Sequence, residues 1–328
     1  MPYSLDADCH DVEDIDVLSC DFQTCAMIRS TTNKAMASFA ASRWRFFMIL
    51  GFLSLIWGSS FILIKKSVGI FQPEQVALLR LGLSGLAFLP LLVYHRRAVD
   101  WRRWHIFVLV GLLGSGIPAF LFAFAQQHIS SSVAGILNSL TPLFTLLIGI
   151  VVFRSPLLWM KIIGVALGLS GATLLIWLGQ GLQLRGDTIY NLFIVLAAVC
   201  YAFNTNIVGN MLHDQRSVLI STVSFASVGI PALGVLLLTT DFRHTLMTHP
   251  QGWIGLGYVC ILSLVGTVLA TIIFFQLIQQ TNPVFASTVA YIMPVVALGW
   301  GVFDGERIAL YHFVGMALIL TGVYLSRK

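Results

Sequence analysis

The sequence predicts an all-α integral membrane protein of ten transmembrane helices, arranged as two inverted five-helix repeats. Three observations predict it. Apolar residues make up 57% of the chain and charged residues 10%, against about 25% charged in a soluble domain, so lipid must be the solvent over most of the surface. Ten apolar runs each approach the roughly 20 residues that a helix needs to cross a bilayer. An eight-residue pattern also occurs twice, as GVALGLSG (164–171) and GMALILTG (315–322), in the fifth and tenth runs.

The first 43 residues read differently from the rest. Asp6, Asp8, Asp11, Glu13, Asp14, Asp16 and Asp21 are seven of the 14 acidic residues, and no apolar period accompanies them. This is the pattern of a disordered, solvated acidic tail on the cytoplasmic side. It lacks the basic start and apolar run of a secretory signal. Met27 and Met36 are candidate natural starts, since MASFAASRWRFF leads into a first membrane helix. Cys9, Cys20 and Cys25 match no metal spacing, and no metal or other cofactor is expected.

The predicted spans are 46–66, 74–94, 104–125, 131–153, 159–178, 189–210, 217–238, 253–276, 283–303 and 308–326. Breakers and caps separate them: Pro73, Ser130, Pro156, Gly179, Asp187, Pro250, Pro283 and Gly305. The runs are continuously apolar rather than alternating, which argues against barrel strands. With the N-terminus inside, 13 Lys and Arg fall in inner segments and 5 in outer ones. Arg80, within a span, completes the 19. The positive-inside rule therefore puts both termini in the cytoplasm, with the chain multi-pass in the cell (cytoplasmic, inner) membrane. The basic balance suits anionic lipid heads and gives no reason to expect a nucleic acid.

The repeat extends beyond the octets. SSVAGILNSLTPLFTLLIGIVVFR (131–154) aligns with PVFASTVAYIMPVVALGWGVFDGE (283–306) at an offset of 152, bringing Pro142 onto Pro294 and Gly149 onto Gly301. Earlier the match weakens, although Trp57 can meet Tyr201. The domains are then 44–178 and 179–328, with five helices each. Five is odd, so the second copy enters the membrane from the opposite side, as in many secondary transporters.

WGSSFILIKKSV, QPEQVALLRLGLSG, SSVAGILNSLTPLF and GERIALYHFVGMALILTGVYL together resemble the EamA-type branch of the drug/metabolite transporter superfamily, over about residues 45–326. The resemblance implies ten helices, cytoplasmic termini and transport of small metabolites. One departure stands out. The family usually ends both the fourth and ninth helices in Gly-Glu, whereas here only Gly305-Glu306 does so and the fourth ends Val152-Phe153-Arg154.

Transporter sites lie near the midplane at broken helices. Pro142 and Pro294 mark the breaks, each freeing a carbonyl one turn back, at Asn138 and Ala290. Asn138 and Ser139 share a face of the fourth helix with Gly135 and Gly149, and Ser287 and Tyr291 share the matching face of the ninth. Small residues on such faces also simply let helices pack. Arg80 is the sharpest candidate. A charge at that depth costs about 2.5–3.5 kcal/mol on insertion scales, and no span interior holds Asp or Glu. It either snorkels or bonds carbonyls, or it awaits an anionic group such as a carboxylate. Trp57 and Tyr201 are placed to stack on a ligand, and Ser60, Gln126, Asn204 and Gln276 to orient one. Lys65 reads as an interfacial anchor beside Lys66, or as a residue of the outer mouth. Glu306 reads as a cap for the tenth helix, and the octet glycines as seating each helix against its own half-bundle.

The expected function is secondary transport of small organic metabolites by alternating access, with amino acids or related compounds as the substrate class and export as the direction. A nucleotide-sugar or phosphorylated-metabolite exchanger is the alternative, but it would want several inward cations. The sequence contains no GxxxxGK[ST], HExxH or GxSxG, so neither an ATP-driven pump nor a membrane enzyme is expected.

Overall fold

The computed structural model describes residues 22–154, 163–164, 166–171, 174, 188–306 and 308–326. All regular structure among them is helical. Helix α1 covers Phe22–Val68, and its span Trp44–Val68 is followed by α2 (Pro73–His95), α3 (Trp101–Ala125), α4 (Ser131–Val151), α5 (Thr188–Met211) and α6 (Ser217–Thr239). A short α7 (Phe242–Thr248) leads to α8 (Gly252–Gln280) and α9 (Pro283–Phe303), and α10 is Leu310–Ser326. Eight of these helices are long and apolar enough to cross a membrane, and α10 is a shorter apolar helix. The predicted span 159–178 falls largely outside the described residues, as do residues 1–21 of the tail. Helix α1 begins at Phe22, within the segment that the sequence alone reads as tail. Contacts divide the chain into two units, Met1–Met48 and Ile49–Lys328, and the helix crossings and the cavity belong to the second.

The breaks fall at the prolines, for reasons visible in the hydrogen bonds. Pro142 and Pro294 each occupy the first turn of a new helical segment, where a missing N–H costs nothing. Helix α4 is interrupted between Asn138 and Thr141. There the Ser139 hydroxyl donates to Ile136 O (2.5 Å) and the Thr141 hydroxyl to Asn138 O (2.7 Å). The Asn138 carbonyl freed by Pro142 is thus satisfied within its own helix. Helix α9 tightens to a 3₁₀ turn at Thr288–Tyr291 before Pro294.

Two further irregularities were not legible in the sequence. Helix α3 widens into a π-turn at Leu112–Gly116 and α8 into another at Leu264–Leu269. They lie 152 residues apart, the offset of the α4/α9 match. Such turns are often found at functional sites. Each is packed from a helix of the other half. A Cβ on Gly114 would lie 3.0 Å from the Asn204 amide, and one on Gly266 3.0 Å from Ser60 Oγ. Ser60 and Asn204 are themselves 144 residues apart, like Trp57 and Tyr201.

Glycines also set the closest helix crossings. Gly85 of α2 and Gly229 of α6 meet backbone to backbone, with Gly229 Cα 2.9 Å from where a Gly85 Cβ would stand. The octet glycines behave differently from expectation. A Cβ on Gly171 would meet Ile319 N at 2.9 Å and Gly315 O at 3.0 Å, and one on Gly322 would meet Gly168 Cα at 2.9 Å. The two octets therefore seat against each other, not against their own half-bundles, because small residues on both faces let the backbones approach.

Candidate functional site

The helix breaks and π-turns converge on one cavity of about 100 Å³. Trp57, Ser60, Phe61 and Ile64 come from α1 and Arg80 from α2. The α3 π-turn supplies Gly114 and Ser115, and Phe122 follows. The broken part of α4 gives Asn138 and Thr141, while α5 gives Tyr201, Asn204 and Thr205. The remaining wall is Gly266, Thr267, Thr271, Phe274 and Phe275 of α8, with Ser287, Val289, Ala290 and Met293 of α9.

Of the residues predicted from sequence, the structure brings Trp57, Ser60, Arg80, Asn138, Tyr201, Asn204 and Ser287 to this cavity. Four others stand apart from it. Gln126 is buried and donates to Phe61 O (3.0 Å), tying the end of α3 to α1. Ser139 turns its hydroxyl back into its own helix. Tyr291 is half-buried outside the lining, and Gln276 is exposed on the outer face of α8. Pro142 and Pro294 shape the wall without lining it.

Arg80 sits in the wall at 9% exposure. Its Nε donates to Thr267 Oγ1 (3.2 Å), and among the described residues no carboxylate lies within ion-pair distance of it. Its backbone carbonyl accepts the Ser84 and Ser263 hydroxyls (2.8 and 3.2 Å), which fixes α2 against α8. Arg80 is therefore turned to the cavity wall and leans on no acid among the described residues. Trp57 is held by a donation from Nε1 to Gly266 O (2.8 Å), a carbonyl of the α8 π-turn. Its ring meets Phe274 edge-on at 4.9 Å. Phe122 stacks on Tyr201 and tilts against Phe61, so the wall is largely aromatic with one cation in it. Ser115 Oγ and Asn204 Oδ1 are buried without a hydrogen-bond partner among the described residues, a cost that proteins seldom leave uncompensated.

The hydroxyl wall of Ser115, Thr205, Thr267 and Thr271 escaped the sequence reading. Threonines within apolar spans carry no distinguishing pattern. The 152-residue offset that maps Ser115 onto Thr267 is the one signal available.

Lys65, Lys66, Asp304 and Glu306 form a cluster at one end of the bundle. Lys65 Nζ lies 2.7 Å from Glu306 Oε1 and 2.9 Å from Asp304 Oδ2, and Lys66 pairs with Asp304. Glu306 also accepts from the backbone and hydroxyl of Ser131 (2.8 and 2.7 Å) and of Ser132 (3.1 and 2.5 Å). This corrects one expectation and adds to another. Glu306 binds the first turn of α4 rather than capping α10, and Lys65, whichever of its two readings holds, is ion-paired. A carboxylate suits any helix N-terminus, and only the tertiary fold selects which. Burial pushes the Glu306 carboxyl up, but Lys65, Ser132 and Ser131 outweigh it and hold it below the usual range. At Asp304, Lys66 and Lys65 likewise overcome the effect of burial.

Comparison with known proteins gives a consistent result. The EamA-like transporter family matches residues 43–177 and again 188–327. The chain is 27% identical over 285 residues to the uncharacterized inner membrane transporter YedA of Escherichia coli K12, covering 83% of this chain and 87% of that one. It is 22% identical over 281 residues to an uncharacterized transporter of Archaeoglobus fulgidus, covering 85% and 97%. Protein PecM of Dickeya dadantii is 23% identical over 274 residues, covering 82% and 88%. A solved crystal structure superposes with a TM-score of 0.58 at 18% identity, covering 85% of this chain and 94% of that one.

Proposed function

The chain belongs to the EamA-like transporter family and is a multi-pass membrane transporter of that type, and from this premise we propose that it carries small organic metabolites bearing a carboxylate, amino acids or related compounds, by alternating access. The direction is export, from a cytoplasm that holds both termini. The reading rests on Arg80. A guanidinium buried at span depth costs free energy and persists where something offsets that cost. Here the side chain lines the cavity with a threonine hydroxyl on Nε as its hydrogen-bond partner among the described residues, and a guanidinium fork is matched to a carboxylate. The aromatic wall of Trp57, Phe61, Phe122, Tyr201 and Phe274 suits the apolar part of the same molecule.

Alternating access is supported by the doubled family match and by the paired features of the two halves. The π-turns, the proline breaks and the Ser60–Gly266 and Asn204–Gly114 contacts recur at fixed offsets around one cavity. Two such halves in opposite orientation can exchange conformations and so open the cavity to alternate sides. No chemical step is needed for this, and the reading is of a carrier rather than an enzyme. The test is flux of labelled amino acids, amines and nucleotide sugars in vesicles. Saturable flux of an amino acid, abolished in Arg80→Ala, supports the reading. Equal flux with and without the protein across all three classes overturns it.

A further inference from the structure

We infer that Glu306, held by Lys65, Ser131 and Ser132, is the bolt of a gate that closes one mouth of the central cavity. The inference rests on the alternating-access reading, since a bolt implies a second state in which it is drawn.

The geometry is layered along α4. Asn138 lines the cavity. One turn towards the helix start, Gly135 is filled in by its neighbours: a Cβ there would lie 2.5 Å from the Ala297 Cβ of α9 and 3.4 Å from the Phe61 ring of α1. One turn further, Ser131 and Ser132 hold Glu306, and a Cβ on Gly301 would press on the Glu306 carboxyl. At 1.5 Å per residue these layers cover about 10 Å. The same three segments, α1, the start of α4 and the end of α9, thus carry in order from Asn138 a close packing of Gly135 on Ala297 and on Phe61, whose ring also lines the cavity, and then the ionic tie.

A simple helix cap does not explain the tie. Ser130 already caps α4, its hydroxyl accepting from Val133 N (3.2 Å). Glu306 adds both oxygens, four hydrogen bonds from the serines and the Lys65 ammonium, at 6% side-chain exposure. A paired buried charge is stable with all its partners or back in water, and poor in between. That is the behaviour of a two-state latch.

The second repeat shows what stands at the corresponding positions. Gly209 stands 144 residues after Lys65, Pro283 stands 152 after Ser131, and Arg154 stands 152 before Glu306. A Cβ on Gly209 would lie 3.0 Å from Pro283 Cδ, and Gln279 Nε2 donates to Leu212 O (3.2 Å) and Gln215 O (2.5 Å) beside it. Arg154 is exposed. At one end stands an ion pair on a helix start; at the matching positions of the other repeat stand a glycine packed on a proline ring and neutral hydrogen bonds. The departure of Arg154 from Gly-Glu is the sequence trace of that asymmetry.

The test uses the full chain with its native cysteines replaced by serine and a reporter Met293→Cys in the cavity wall. A membrane-impermeant maleimide is applied to intact cells and to inverted vesicles, with Gly69→Cys marking the side that carries Ser131. Glu306→Gln raises reporter labelling from that side at least about tenfold and lowers it from the other. Lys65→Met does the same, and the double variant goes no further than either single one. A rise on the Ser131 side alone keeps the bolt but overturns reciprocal access. Unchanged labelling on that side, or a rise from both sides, as loss of structure would give, overturns the bolt. No substrate is needed, so the outcome is independent of whether amino acids are carried.

Discussion

Arg80 of α2 and Thr267 of α8 meet where α8 widens into a π-turn, with Nε donating to Oγ1 across 3.2 Å. The arginine is thereby fixed in the cavity wall without being neutralised. The hydroxyl orients the guanidinium, and the π-turn carries the hydroxyl.

Arg80→Ala is expected to abolish the ligand-induced thermal shift for carboxylated ligands. A hydrogen bond to a charged group contributes about 1.5–3 kcal/mol, which is roughly 10- to 100-fold in affinity. Thr267→Val should cost less, since it removes only the orienting bond. Unchanged affinity in folded Arg80→Ala defeats the role.

Trp57→Phe keeps an aromatic face but loses the donation to Gly266 O. The expected cost is about 1 kcal/mol of stability, together with weaker ligand binding. Equal melting temperatures and equal titrations for the two proteins would contradict it.

Gly85→Ala and Gly229→Ala each force α2 and α6 apart, because the added methyl meets backbone rather than a movable side chain. Overpacking of this kind costs typically about 1–3 kcal/mol. Gly257→Ala, at a helical position with open space, is the control and should melt no lower than the parent. Equal melting of all four proteins in detergent would refute the close crossing.

The acid limb of stability should depend on Asp304 and Glu306, both held below the ordinary carboxylate range. Groups lowered in the folded state contribute stability that is complete above the ordinary carboxylate pKa, about 4. That contribution is lost as pH falls through the lowered values. Lys65, Lys66 and His312 face the pair, and none of them is an acid. The melting temperature should be flat with respect to these two groups from about pH 8 to 6 and fall below about pH 4. Glu306→Gln should flatten that fall, and a variant with the parent's acid limb would rule the pair out as its source.

Much of the architecture was legible in the chain because it depends on neighbours in sequence. Apolar runs of span length, Pro142, Pro294 and the Ser130 cap act through the local backbone, and among the described residues eight of the predicted spans, the two proline breaks and the cap appear where the residues put them. The site was half legible. Arg80, Trp57, Asn138, Tyr201, Asn204 and Ser287 announced themselves as polar or aromatic exceptions within apolar spans. Gln276 was as exceptional and lies outside the lining. On a helix the difference between wall and lipid face is an angle, and a single chain does not say which side its neighbours occupy.

By itself the sequence determined the solvent, the helical spans, the doubling and the places where helices break. All of these follow from apolar burial and backbone chemistry over a few residues. The tertiary structure alone decided the partners: Glu306 with α4 rather than α10, one glycine octet against the other, and Thr267 beneath Arg80. Those contacts join residues more than 140 positions apart, where each group is chemically suited to many partners and packing chooses among them.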